Sequence, residues 1–234
     1  MDRTIFIETS NVTKFNTAIS SLESTDNGEL GFALVYGQAG RGKTETTLTY
    51  QARNGGIFLR VRQGWTQNAF LTALAGKMNL SPARSAAACK DRIIDRLEDE
   101  PQTIYVDEAD RLHVDRIEDL RDIHDETGSP IVLIGERELH GLLGERRRIW
   151  SRVKQVVEFE KVAEEDVAIL AADAAGLDVD PDACAQIVKK ADGDFRLVWT
   201  LLAGLEKAAR ARQTEQINTK MVEDVAKKAL NWRR

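Results

Sequence analysis

The chain has 234 residues, 42% of them hydrophobic and 30% charged, with a formal net charge of -5. That length suits one medium domain or a core domain with a small companion, and the balance excludes a protein coated in basic charge while leaving room for a local basic stripe. Two widely spaced cysteines, Cys89 and Cys184, exclude a disulfide framework and a cysteine metal knuckle. The first residues hold no long apolar core, and no apolar run approaches membrane-spanning length. The expectation is a cytoplasmic protein that does not use a membrane.

In chain order, the first strand-like run is GFALVY, Gly31–Tyr36, apolar and without a breaker. It hands over to GQAGRGKT, Gly37–Thr44, which fits the phosphate-cradle pattern G-x-x-x-x-G-K-[ST]. Glycine reaches positive φ cheaply, so the loop can curl around an anion. The backbone of Gly37, Gln38, Ala39, Gly40, Arg41, Gly42, Lys43, Thr44 and Glu45 is expected to form the cradle. The helix that follows, without Gly or Pro over Thr44–Ala52, adds its free N–H groups and positive dipole end. Lys43 is expected to reach the β- and γ-phosphates, and the Thr44 hydroxyl to ligate magnesium.

Behind an Asn-Gly-Gly turn comes IFLRV, Ile57–Val61. The surrounding FLRVRQGWTQNAF offers Arg60, Arg62, Gln63, Trp65 and Thr66, side chains of the kind that contact phosphates. The same pattern also suits arginines leaving a strand edge for solvent, with Trp65 in the core. An amphipathic helix follows Pro82. Next, TIYVD at Thr103–Asp107 leads into Glu108. An Asp at the C-terminal edge of a strand beside the P-loop strand can hold magnesium. The adjacent Glu can polarise a water for in-line attack on a γ-phosphate. PIVLIG, Pro130–Gly135, and VKQVVEF, Val153–Phe159, complete the strand-like set. Apolar runs alternating with helical patterns indicate βαβ units and a parallel sheet buried on both faces.

From Ala163 onward only helical spacing is visible, with Pro181 placed for a first turn and Gly176 and Gly193 for helix ends. The expected organisation is therefore an α/β core over residues 1–160 and a small all-helical domain over 161–234. His113, His124 and His140 have no ligand-like grouping and read as surface or capping residues.

With these pieces in order, the chain resembles the AAA+ ATPases over nearly its whole length. The matching parts are a Walker A motif at Gly37–Thr44, a Walker B motif at Ile104–Glu108 and a closing all-α lid. The resemblance implies a P-loop core with a central five-stranded parallel sheet flanked by helices. It also implies ATP and Mg2+ as cofactors, with Asp107 and Thr44 on the metal, Glu108 as the base and Lys43 on the phosphates. The usual polar sensor at the end of the fourth strand is replaced by Gly135 and Glu136. In GERRRIWSRV the SRV before the last strand resembles the family's trans-acting arginine finger. Arg152 is the first choice and Arg148 the second. ADGDFRLVW matches the second sensor pattern and gives Arg196 that role on the γ-phosphate. In such rings the loop after the second strand lines the central channel, which implies DNA contacts by Arg60, Arg62, Gln63, Trp65 and Thr66. The residues after Walker B, Arg111, His113 and Arg116, fall near the same channel.

The stretch DEADRLHVDRIEDLRDIHDETGSPIVLIGERELHGLL resembles the phage Mu B-type transposition helper ATPases. That resemblance implies an ATP-dependent, sequence-nonspecific binder of duplex DNA, in a minimal version without an N-terminal helical DNA-binding domain. It would self-associate into a filament or ring, present target DNA to a transposase, and be released by hydrolysis. The basic end, KKALNWRR, would add a contact to DNA or transposase. Alternatives are a helicase-loader or clamp-loader type ATPase, a secretion-associated ATPase that does not bind DNA, and a P-loop kinase. The kinase is disfavoured because its helical lid would interrupt the core strands.

Overall fold

The computed structural model describes residues 5–24, 30–81 and 83–229; Pro82 and the basic tail beyond Ala229 lie outside them. The described residues fall into two compact units. One holds Thr13–Gln38 and Lys43–Phe159, the other the described parts of Met1–Val12, Ala39–Gly42 and Glu160–Arg234.

The larger unit is built on α1 (Ser10–Glu23) from Thr13 onward, β1 (Phe32–Tyr36), α2 (Lys43–Asn54), β2 (Ile57–Arg60), α3 (Gln67–Lys77), α4 (Ala86–Asp99) and β3 (Ile104–Asp107). There follow α5 (Val114–Thr127), β4 (Ile131–Gly135), α6 (Arg137–Gly144), α7 (Arg147–Trp150) and β5 (Val153–Glu158). The strands form one five-stranded parallel sheet in the order β2-β3-β4-β1-β5. Each expected strand is present, shortened by one residue at an end. Alternation along the strands fills two cores. Phe32, Leu34, Ile104, Val106, Ile131 and Leu133 pack with Phe70, Leu74, Ile93, Leu97, Ile117 and Leu120 of α3, α4 and α5. On the opposite face Ala33, Val35, Tyr105, Val132 and Ile134 meet Phe15, Ile19 and Leu22 of α1 and Tyr50 of α2. Because both faces are covered, the strands are continuous apolar runs. Trp65 packs against the first of these cores, so the core alternative holds for that residue.

The smaller unit contains α8 (Glu164–Ala175), β6 (Asp178–Val179), α9 (Pro181–Ala191), α10 (Phe195–Arg212), β7 (Gln216–Ile217) and α11 (Thr219–Ala229). Its core gathers Val167, Leu170, Ile187, Val198, Leu201, Leu205, Ile217 and Val222. The expectation of helices alone is corrected here, because β6 and β7 pair in parallel. The Asp178 N–H donates to the Glu215 carbonyl at 2.9 Å and the Asp180 N–H to the Ile217 carbonyl at 3.0 Å. Val179 and Ile217 are buried under the pair. Two-residue strands carry too little alternation to register against helical neighbours. Both cysteines are free and buried, as their spacing suggested.

Candidate nucleotide-binding site

The site begins where β1 ends. Gly37, Gly40 and Gly42 take φ of 149°, 79° and 93°, a region that side chains other than glycine rarely occupy. The loop tip is fixed by neighbours within its own unit. A Cβ on Gly40 would collide with the Asp194 carboxylate, the Arg41 guanidinium donates to the Asp192 carbonyl at 2.7 Å, and the Phe195 N–H donates to the Gly40 carbonyl at 2.8 Å. Gln38 and Ala39 are exposed, and Glu45 is exposed on the first turn of α2. Arg196 is the residue after Phe195. Its N–H is capped by Asp194 at 2.8 Å, and its exposed guanidinium has no side-chain partner among the described residues.

Lys43 is buried, and its ammonium donates to the carbonyls of Gly37 at 2.6 Å and Gln38 at 2.9 Å. Burial pushes it below the ordinary lysine value, while the carboxylates of Glu136, Asp107, Asp110 and Glu108 pull it back. The four carboxylates outnumber Lys43, Arg60 and Arg111 at this edge of the sheet, so a polyphosphate settles here more readily with a further cation. The donors for one are in place. The Thr44 hydroxyl donates to the Asp107 carboxylate at 3.0 Å, and Asp107 is 3% exposed. A hydroxyl beside a carboxylate is a hard-oxygen pair that fits magnesium completed by waters and phosphate oxygens. No separate cluster of His, Cys, Asp and Glu with metal-binding geometry occurs among the described residues.

Glu108 has φ 60° and ψ 37°, the left-handed region, on a residue that is not glycine. Such strain costs on the order of 1 kcal/mol or more and is retained where the surroundings impose it. Its carboxylate meets Arg111 at 3.2 Å. Nothing in the sequence pattern signalled this conformation. Also unforeseen is Asp110, whose carboxylate accepts the Glu136 N–H at 3.0 Å. It explains Gly135 at the end of β4, since a Cβ there would collide with Asp110 and lie 2.8 Å from Leu139. The repeated acidic spacing in DEAD was the available signal.

The two arginine-finger choices differ. Arg152 donates from Nε and Nη2 to the Asp125 carboxylate at 3.0 and 2.9 Å, which raises its own pKa further. Arg148 is exposed on α7 with no side-chain partner among the described residues.

Most residues expected to face DNA have partners inside the chain. Arg60 is bonded to Asp107 at 2.9 Å, beside the two oxygens that fit magnesium, because β2 and β3 end in register there. Thr66 caps α3 by accepting the Ala69 N–H at 3.2 Å, and Trp65 is half-buried. Arg111 pairs with Glu108, and Arg116 is paired with Asp119 at 3.2 Å. His113 caps α5, accepting the Asp115 N–H at 3.4 Å. Arg62 and Gln63 remain exposed without side-chain partners among the described residues. His124 departs from the surface reading, being buried with Nδ1 2.9 Å from the Ser129 carbonyl.

A family model described as AAA domain matches residues 27–143, from just before β1 through α6. This chain is a member of that AAA domain family. Within it, the chain is 26% identical over 178 residues to the Mu-like prophage FluMu DNA transposition protein B of Haemophilus influenzae, covering 71% of this chain and 62% of that protein. It is also 26% identical over 175 residues to the ATP-dependent target DNA activator B of Escherichia phage Mu, covering 71% and 55%. The match thus spans less than two thirds of either relative. The Mu B-like reading of the AAA module agrees with both. Among solved structures the Aeropyrum pernix ORC2 protein superimposes with a TM-score of 0.69 at 15% identity, over 97% of this chain and 70% of that one. That likeness is one of fold. No helix among the described residues is long and apolar enough to cross a membrane.

Proposed function

We propose that the chain is an ATP-dependent, sequence-nonspecific DNA-binding ATPase that assembles on duplex DNA, delivers it to a transposase and is released by hydrolysis. The observation that carries this reading is the convergence of Lys43, Thr44, Asp107 and Glu108 at one sheet edge. Relatives named as a DNA transposition protein B and an ATP-dependent target DNA activator B supply the direction.

Thr44 and Asp107 would hold magnesium, which supplies charge neutralisation to the phosphates. Lys43 exchanges its two loop carbonyls for phosphate oxygens, more strongly charged acceptors. Glu108 orients the attacking water and accepts its proton. Arg148, on a free face of α7, is the better placed arginine for a neighbouring copy's nucleotide, because Arg152 would first have to leave Asp125. Arg196 serves as the second nucleotide sensor. Arg62 and Gln63 are the remaining phosphate contacts for DNA.

Electron microscopy with duplex DNA separates this reading from a replication loader or a secretion ATPase. Filaments or rings coating DNA with ATP but not ADP, weakening as salt rises, are the expected result. Monomeric protein on bare DNA in every nucleotide state would refute it.

A further inference from the structure

Arg60 makes contacts within the chain that its expected DNA-facing role does not call for. It ends β2 in register with Asp107 at the end of β3. Its Nε and Nη2 each lie 2.9 Å from Oδ2 of Asp107, and Nη2 also donates to the Thr44 hydroxyl at 3.3 Å. The guanidinium therefore bridges the two oxygens assigned above to magnesium, and it takes the same carboxylate oxygen, Oδ2, that the Thr44 hydroxyl addresses. The Asp107 side chain is 4% exposed and that of Arg60 is 55% exposed.

These two exposures set the logic. A carboxylate this buried depends on the donors around it, and Arg60 is the charged one among them. The arginine, by contrast, has more than half its surface in water and can leave toward solvent. A guanidinium has no acceptor and is never deprotonated, so it cannot join a coordination shell. Oδ2 already receives Nε and Nη2 of Arg60 and the Thr44 hydroxyl, so a magnesium ion on that oxygen has to displace donors from it. Resting on the nucleotide reading above, we propose that Arg60 is a resident counter-cation of the metal site, displaced when magnesium arrives with nucleotide.

In the metal-free protein Arg60 holds Asp107 aimed at Thr44, so the site is preformed. On loading, the side chain moves out beside Arg62 and Gln63, in the β2–α3 connection. Metal occupancy thereby adds one positive charge to the segment proposed to meet DNA.

The test uses the full chain and a fluorescent ATP analogue, with magnesium titrated from zero. Arg60→Gln keeps the length and a hydrogen-bond donor but removes the charge. Its half-saturating magnesium concentration is expected to fall about fivefold, the scale of a partly exposed ion pair. Its melting temperature in EDTA should drop, and magnesium with ATP should restore it. Arg60→Lys, which retains charge but loses the two-point grip, should lie between. Equal magnesium midpoints for wild type and both variants would overturn the role of Arg60 while leaving nucleotide binding standing. Wild-type protein that takes up no analogue at any magnesium concentration would overturn the nucleotide reading itself, and the counter-cation with it. Should Arg60→Gln fail to fold, the lysine variant alone decides, and a wild-type midpoint there refutes the proposal.

Discussion

The two edges of the one parallel sheet use the same residue types to different ends. At the edge where the strands finish, Lys43 and Asp107 are buried, Glu108 is held left-handed, and Asp110 presses on a glycine. At the edge where they start, Arg152 and Asp125 make an equally short two-point pair, with side chains 38% and 35% exposed. The second arrangement is an ordinary screened ion pair, worth at most about 1 kcal/mol. The first concentrates burial, backbone strain and an excess of carboxylates over cations, a combination that costs stability and persists where a ligand compensates it. Charge alone does not mark a site; charge removed from water does.

Lys43→Ala should break this contrast most completely. Magnesium-ATP affinity is expected to fall by about a hundredfold or more in calorimetry, the scale of losing two or more charged hydrogen bonds. Retained affinity would reduce the buried lysine to a structural device. In turnover the largest effect belongs to Arg148→Ala, which should lower it by about a thousandfold in the presence of DNA, as loss of a trans arginine does. Arg152→Ala should leave turnover nearly intact, and the reverse pattern would return the finger to the SRV position. Glu108→Gln should cut phosphate release by about a hundredfold while preserving ATP binding and prolonging DNA-bound assemblies. Smallest is Gly135→Ala, expected to lower stability by about 1–3 kcal/mol in urea unfolding, because the added methyl group meets Asp110 and Leu139. An unchanged midpoint would mean that Asp110 is free to move.

The sheet was legible because strands such as IVLIG and FALVY are apolar on both faces, and no other element in an αβ alternation needs that pattern. The cradle was legible because three glycines before a lysine have few alternative uses. What stayed hidden depends on where a side chain ends up relative to a neighbouring strand. The pairing of Arg60 with Asp107 could not be seen before the register of β2 on β3 was known. The pairing of Arg116 with Asp119, three residues on along α5, was likewise not signalled by the pattern. Strands β6 and β7 were too short to produce a period, and the backbone of Glu108 is imposed by its surroundings and not by its own preference.

Calorimetric titration of ATP into the full chain, with and without magnesium, tests the account at its root. One saturable site per chain that requires the cation and weakens by about a hundredfold or more in Lys43→Ala is the predicted result. A flat thermogram from folded wild-type protein in the presence of magnesium would contradict it.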